Sequence, residues 1–231
     1  MKCEWLNKQS QDNLIVIFSG WAFGYDVFQH LLAEKNDFDV LFVNDYRQID
    51  LDLPDLDAYA NKYLLAWSFG VSAFCHWNES QGLQQKSIRF DKKVAVNGTV
   101  FAVDRFLGIP QPIMQKTIDT LSEQSFQMFA KRCFRGLDLP QNLTIDVQAR
   151  KAELEIILQR QLAQEIDGDS QSVDWDCAWI AMQDKIFPSK NQIRAWQQHN
   201  DSCDKALEIN QFDAPHAPFQ LWSNWQEIFD L

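Results

Sequence analysis

Short apolar runs alternate along the chain with longer segments of helical periodicity, and this alternation restricts the possible folds more than any other feature. The first run is residues 14–18, LIVIF, and residues 26–33 follow it with apolar side chains on one helical face. The pattern recurs to residue 96 and returns at residues 177–181 and 206–209. Apolar strands separated by helices are typical of a parallel sheet covered on both faces. The sequence therefore predicts an α/β fold with a mostly parallel sheet.

The alternation stops between residues 110 and 166. Two long helical patterns, at residues 113–134 and 147–166, occupy this stretch instead. We therefore predict a helical lid, residues 110–166, inserted into an α/β core formed by residues 1–109 and 167–231. A final helix is predicted within residues 219–229, where large apolar side chains share one face.

Composition excludes several classes of protein. The 231 residues are 46% hydrophobic, which is enough for one sizeable core. A net charge of −11 disfavours a nucleic-acid or anionic-membrane binder, because both need a basic surface. No apolar run reaches the ~18 residues of a membrane span. The mixed charges at the N-terminus and five cysteines without a C-x-x-C pair predict a cytoplasmic protein with reduced thiols.

Residues 64–71, LLAWSFGV, run from an apolar strand through Ser68 directly into a helical segment. Such a turn lifts a serine above the sheet, to a helix N-terminus whose backbone N–H groups stabilise negative charge. Gly70 matches the second glycine of the G-x-S-x-G nucleophile elbow, whereas Ala66 replaces the first, so the turn must tolerate one methyl group. The pattern predicts a nucleophilic Ser68, and a serine that only caps the helix is the alternative.

A nucleophilic serine needs a histidine base and a carboxylate that orients it, in the chain order serine, acid, histidine for sheets of this kind. Asp184 follows the strand at residues 177–181 and so lies at the carboxyl end of a parallel strand. Asp184 is the predicted acid, with Asp204 and Asp45 as weaker candidates. Its alternative role is to cap the helix that begins after Pro188.

The chain has four histidines, and one of them fits the position of a catalytic base. His216 comes after Asp184 and after the predicted strand at residues 206–209, in a loop restricted by Pro215 and Pro218. His216 is therefore the predicted base. The other three histidines are expected to be core or solvent-exposed residues without a catalytic role: His30, His76 and His199.

An oxyanion hole should combine the N–H after the nucleophile with an N–H from the loop after an early strand. Phe69 supplies the first. Residues 19–24, SGWAFG, follow an early strand, and Gly20 is expected to let the chain turn so that the Trp21 N–H points at the site. The same loop lacks the lysine of the G-x-x-x-x-G-K-[ST] motif and the third glycine of the G-x-G-x-x-G motif, so nucleotide binding is not predicted. Serine chemistry of this kind needs neither a metal nor another cofactor.

Six short segments carry a family resemblance: residues 18–22, FSGWA, 66–71, AWSFGV, 96–99, VNGT, 108–110, GIP, 184–188, DKIFP, and 215–219, PHAPF. Together they resemble the α/β-hydrolase superfamily. Within it they are most similar to the pimeloyl-acyl-carrier-protein methyl ester esterases of biotin synthesis, particularly the BioG type. The Asn-Gly-Thr and Gly-Ile-Pro pieces are family-specific, whereas the triad pieces indicate only the superfamily.

This resemblance implies hydrolysis of the methyl ester that caps pimeloyl-acyl carrier protein, with release of methanol. It also implies that an acyl carrier protein is the partner. Two alternatives stay open: another esterase or a thioesterase of this fold, and a non-enzymatic binding protein of this fold. The residues make no prediction about the oligomeric state.

The predicted lid differs from the rest of the chain in charge. Its seven basic residues balance seven acidic ones, so the remainder of the chain carries the whole net charge of −11. An acidic carrier protein that bears phosphopantetheine would dock there through electrostatic steering and phosphate contacts. The alternative is an ordinary solvated face of amphipathic helices. The predicted docking residues are Lys131, Arg132, Arg135, Arg150 and Lys151.

Overall fold

The structure is a computed structural model that describes residues 1–9, 12–33, 37–51, 53–83, 88–141, 143–167, 173–203 and 205–231. Within these residues the strands are β1 Lys2–Asn7, β2 Asn13–Phe18, β3 Phe38–Asn44, β4 Asn61–Trp67, β5 Lys92–Val96, β6 Cys177–Ala181 and β7 Glu208–Phe212. They form one sheet in the order β1-β3-β2-β4-β5-β6-β7. The β1–β3 pair is antiparallel, and every other neighbouring pair is parallel. The predicted mostly parallel sheet is confirmed.

Helices connect the strands along the described chain. The α-helices are α1 Gln29–Ala33, α2 Phe69–Leu83, α3 Gln111–Thr120, α4 Glu123–Phe134, α5 Val147–Asp167, α6 Ser189–Ser202 and α7 Trp225–Phe229. Two 3₁₀ turns, Tyr25–Phe28 and Phe219–Leu221, precede α1 and α7. None of the helices among the described residues is long and apolar enough to cross a membrane.

The central strands are buried along most of their length, which explains why their sequences are apolar throughout. Residues 14–18 of β2 are completely buried, as are residues 64–67 of β4. Parallel strands of this kind pack between layers of helix and leave no face for polar side chains. The polar residues at the carboxyl ends of β2, β4, β5 and β6 are therefore the ones available for a site.

Three helices, α3 to α5, lie between β5 and β6 in chain order, in the region predicted to be a lid. The helix predicted over residues 113–134 is in fact two helices, because the chain is extended at Leu121 and starts again at Ser122. The Ser122 hydroxyl accepts a hydrogen bond from the Ser125 N–H, and the Ser125 hydroxyl accepts one from the Ser122 N–H. This capping box begins α4. The division of the chain into core and lid at these boundaries stays a prediction.

The edges of the sheet depart most from the sequence-based prediction. Strand β1 was not predicted, although its alternation of charged residues with Cys3 and Trp5 is a period-2 signal of an edge strand. Strand β7, the other edge, spans Glu208–Phe212 rather than residues 206–209. The helix predicted within residues 219–229 is a 3₁₀ turn followed by α7, which the Asn224 side chain caps.

Candidate active site

The turn between β4 and α2 has the conformation of a nucleophile elbow. Ser68 is 4% exposed and has a φ of 57°, a left-handed value that is strained for a residue with a side chain. A Cβ on Gly70 would lie 2.1 Å from the carbonyl oxygen of Phe18, so only glycine lets α2 start this close to β2. Ala66 is an ordinary strand residue paired with β2 and β5, which explains why the elbow tolerates its methyl group.

The three predicted triad residues are joined by hydrogen bonds. The Nε2 of His216 lies 3.0 Å from the Oγ of Ser68, and its Nδ1 lies 2.7 Å from the Oδ2 of Asp184. The side chain of His216 is almost fully buried, as is that of Asp184. A serine, an imidazole and a carboxylate in this order can activate the serine hydroxyl, because the imidazole takes its proton and the carboxylate orients the imidazole.

The Asp184 carboxylate is held by the protein on both of its oxygens. Its Oδ1 accepts hydrogen bonds from the N–H groups of Ile186 and Phe187, each at 2.8 Å. Its Oδ2, which faces His216, also accepts one from the Nε2 of Gln192 at 3.1 Å. Asp184 thus binds its own turn and His216 together, but it does not cap α6, which begins after Pro188 without a side-chain hydrogen bond, so the capping alternative is wrong. Gln192 is a completely buried residue of α6 that no sequence motif pointed to.

Asp45 and Asp204 are the weaker candidates for the acid, and the structure describes only Asp45. Asp45 lies after β3 and binds Arg47 in an ion pair of 2.6 Å, so it does not orient His216 and that alternative is wrong. The hydrogen bond from Arg47 lowers the pKa of Asp45 to about 2. Asp204 lies outside the described residues.

Trp21 and Phe69, whose N–H groups were predicted to bind the oxyanion, line the same cleft as Ser68 and His216. The turn after β2 is made differently from the prediction, because Ala22 rather than Gly20 has the positive φ, of 66°. The Trp21 indole donates a hydrogen bond of 3.0 Å to the backbone carbonyl of Arg150 in α5. This bond ties the predicted oxyanion loop to α5, which belongs to the predicted lid. The role of the two N–H groups in catalysis stays a prediction.

The cleft above Ser68 has a volume of about 610 Å³, including its open mouth. Its charged lining residues are Arg132 of α4 and Lys185, which follows Asp184. The rest of the lining is mostly apolar and comes from both the predicted core and the predicted lid: Trp21, Phe23, Trp67, Phe69, Ile109, Ile113, Met114, Phe129, Leu154 and Ile186.

The predicted docking residues fall into two groups. Lys131, Arg132 and Arg135 are exposed at the end of α4, and Lys151 is half-buried. Arg150 departs from the prediction, because its side chain is only 16% exposed and pairs with internal carboxylates. Its guanidinium therefore belongs to the protein interior rather than to a docking surface.

The carboxylates that hold Arg150 join α5 to the segment after β3. Glu153 binds Arg150 at 2.5 Å and accepts a hydrogen bond of 2.7 Å from the backbone N–H of Tyr46. Asp45 lies 3.6 Å from the same guanidinium. Burial raises the pKa of Glu153. A sequence pattern cannot separate such an arginine from an exposed one, because both lie on amphipathic helices.

Similar proteins include whole-chain relatives and fold neighbours. A protein from Haemophilus influenzae with no assigned function is 29% identical over 100% of both chains. The crystal structure of BioG from Haemophilus influenzae covers 100% of both chains at 26% identity, with a TM-score of 0.79. An esterase from Exiguobacterium antarcticum covers 93% of this chain and 87% of its own at 13% identity, with a TM-score of 0.63. The last likeness shows the α/β-hydrolase fold alone.

A further relative is much longer than this chain. A malonyl-[acyl-carrier protein] O-methyltransferase from Bacteroides fragilis is 33% identical over 203 residues, which are 87% of this chain but only 39% of that protein. The chain thus spans about two fifths of that relative's length. A family model described as pimeloyl-ACP methyl esterase BioG matches residues 1–228. With nearly its whole length accounted for by that one family model, the chain belongs to the BioG family of pimeloyl-ACP methyl esterases.

Proposed function

We propose that this chain hydrolyses the methyl ester of pimeloyl-acyl carrier protein, releasing methanol and leaving a free carboxylate on the acyl chain. The observation that carries the proposal is the hydrogen-bonded series of Ser68, His216 and Asp184 beside an apolar cleft. Membership of the BioG family supports the choice of ester and carrier. A cytoplasmic location belongs to the same proposal.

The reaction proceeds in two halves. The Oγ of Ser68 attacks the ester carbonyl while the Nε2 of His216 takes its proton, and Asp184 stabilises the imidazolium. The N–H groups of Trp21 and Phe69 stabilise the oxyanion. The intermediate collapses, the methoxy group takes the proton from His216, and methanol leaves. Water then attacks the acyl-enzyme, His216 takes a proton from that water, and Ser68 recovers it as the carboxylate product forms.

The cleft suits an acyl chain. Its apolar side chains would lie against the methylene groups of a medium-length chain, whose transfer from water contributes about 0.8 kcal/mol per CH₂. Arg132 and Lys185 border the same cleft as the only cations among its lining residues. They are suited to the polar, carrier-linked end of the substrate, while the ester end lies at Ser68.

One substrate molecule can test this proposal against its alternatives, because methyl pimeloyl-acyl carrier protein contains both a methyl ester and a thioester. Purified chain is incubated with this substrate, and methanol and free carrier thiol are both measured over time. We expect methanol without free thiol, and pimeloyl-acyl carrier protein as the remaining product. Free thiol and methyl pimelate would identify a thioesterase instead. Release of neither, together with no fluorophosphonate labelling of Ser68, would identify a binding protein.

The carrier is proposed to dock on the end of α4, at Lys131, Arg132 and Arg135, with Lys151 beside them. These side chains provide positive charge on a protein whose net charge is −11. Complementary charges of this kind speed encounter with an acidic partner and favour the correct orientation. Arg150 is left out of this surface, because it is bound to Glu153 and Asp45.

We expect the double variant Lys131→Glu/Arg135→Glu to raise KM for the carrier-bound ester about tenfold at low salt, because both changes oppose an acidic partner. Raising the salt concentration should weaken wild-type binding in the same way. Hydrolysis of p-nitrophenyl butyrate, which needs no carrier, should change less than twofold. Steady-state kinetics on both substrates measures these effects.

The matched control is Arg105→Glu/Arg194→Glu, which makes the same change in net charge at two exposed arginines beside Phe106, outside the lid. This control should leave KM for the carrier-bound ester within about twofold of the wild-type value. An equal rise in KM for both double variants would mean that overall charge matters rather than α4. Unchanged KM in the α4 variant would remove this docking surface.

A further inference from the structure

Asn97, directly after β5, has an unusual backbone and a buried side chain. Its φ is 47°, in the left-handed region that asparagine tolerates better than most residues, and it is 1% exposed. Its backbone N–H donates to the carbonyl of Trp179 in β6 at 3.0 Å. A polar side chain so completely buried requires hydrogen-bond partners, and the partners here belong to two separate segments.

The Asn97 amide bridges the segments that carry the proposed acid and base. Its Nδ2 donates to the backbone carbonyl of His216 at 2.8 Å and to that of Pro215 at 3.3 Å. Its Oδ1 accepts a hydrogen bond of 2.7 Å from the N–H of Ala181, the last residue of β6. Because the two carbonyls can only accept and the N–H can only donate, one orientation of the amide satisfies all three contacts.

The turn that contains Asn97 also touches the segment of the nucleophile. The N–H of Ser68 donates to the carbonyl of Val96 at 2.9 Å. A Cβ on Gly98 would lie 2.3 Å from the carbonyl oxygen of Ser68, so the two backbones are in close contact there. The chain at residues 96–98 is therefore packed against all three segments that bear the triad.

We infer that Asn97 is a positioning residue that holds the segments of Asp184 and His216 at the separation their hydrogen bond requires. This inference rests on the proposed function, because it assumes that Ser68, His216 and Asp184 act as a triad. Asp184 lies three residues after Ala181, and the Asn97 amide joins that strand end to the backbone of His216 itself. A misplacement of about 1 Å among such catalytic groups can cost about 100-fold in rate.

Asn97 does not line the cleft, so its effect should fall on kcat rather than on substrate binding. Trp67 supports the same carbonyl of His216 through its indole N–H at 2.9 Å, so loss of Asn97 should weaken rather than abolish the arrangement. The expected loss is therefore smaller than for removal of a triad member.

The test compares Asn97→Asp with the matched control Asn200→Asp. Aspartate keeps the size and the oxygen that accepts from Ala181, but it places its second oxygen against the two carbonyls. Asn200 in α6 makes a similar bridge, to the N–H and carbonyl of Leu207, away from the triad. We expect Asn97→Asp to lower kcat for p-nitrophenyl butyrate 10- to 100-fold with KM within threefold, and to slow fluorophosphonate labelling of Ser68 in parallel. Asn200→Asp should keep kcat within about twofold.

Asn97→Gly provides a second variant, because glycine accepts the left-handed backbone but lacks the bridging amide. It should show the same loss of kcat per folded molecule, with the folded fraction measured by circular dichroism. The inference is overturned if kcat per folded molecule is unchanged in both Asn97 variants, if only KM rises, or if neither variant folds. Failure of the wild-type chain to hydrolyse any ester or to react with the fluorophosphonate would instead refute the proposed function.

Discussion

Ser68→Ala is expected to lower kcat for ester hydrolysis by about 10⁴-fold or more, because it removes the only atom proposed to form the acyl-enzyme. Fluorophosphonate labelling should disappear with it. The fold should persist, with Tm within about 3 °C of the wild-type value, since alanine and serine share the same Cβ and the same strain at a φ of 57°. Steady-state kinetics and thermal unfolding measure the two effects.

Ser72→Ala is the matched control for this variant. Ser72 is also buried, lies one turn further along α2, and donates its hydroxyl to the carbonyl of Phe69. Its replacement should cost about 1 kcal/mol of stability at most and leave kcat within about twofold. Substantial turnover by folded Ser68→Ala would disprove the assignment of the nucleophile.

Asp184→Asn is the second variant with a large expected effect, a fall in kcat of about 10⁴-fold. The N–H groups of Ile186 and Phe187 require an oxygen at the Oδ1 position, so the new amide NH₂ must replace Oδ2. That NH₂ then faces the Nδ1 of His216, which becomes an acceptor. The imidazole proton moves to Nε2, where it faces the hydroxyl of Ser68, so Nε2 can no longer take the proton of the nucleophile.

Two other aspartates serve as controls that show whether the loss of activity is specific to Asp184. Asp45→Asn should lower Tm, because the ion pairs with Arg47 and Arg150 are lost, and it should leave kcat nearly unchanged. Asp204→Asn is expected to leave both Tm and kcat nearly unchanged. Should either of these variants lose more activity than Asp184→Asn, the acid of the triad would have to be reassigned.

The contrast between Asp184 and Gln192 illustrates how far a sequence can predict such a site. The position of Asp184 beside His216 was predictable because it lies in the loop after a buried strand, and its chain order relative to Ser68 and His216 matches a known arrangement. Gln192 binds the same carboxylate, yet it lies in an amphipathic helix in which a polar residue is usually exposed. Its burial results from the packing of α6, which no local pattern contains.

The arginines of α4 and α5 show the same limit, which is that local sequence does not predict which polar side chains become buried. Arg132 and Arg150 both lie in helical segments, and the sequence predicted both for one docking surface. Their different environments follow from what faces each helix: Glu153 and Asp45 surround Arg150, whereas Arg132 borders the cleft. Asp45 is 105 positions before Arg150 in the chain, so their contact depends on how α5 packs against the end of β3.

The sequence by itself determined the mostly parallel sheet, the elbow at Ser68 and the loop positions of Asp184 and His216. Each of these follows from local periodicity or from the residues directly beside it, and neighbours in the chain stay neighbours in the fold. The tertiary structure alone decided that the His216 imidazole reaches Ser68 across 148 positions and that Asn97 joins the end of β6 to the backbone of His216. Hydrogen bonds between distant segments need their donor and acceptor placed to within a few tenths of an ångström, and only the packed arrangement of β4, β5, β6 and β7 sets those distances.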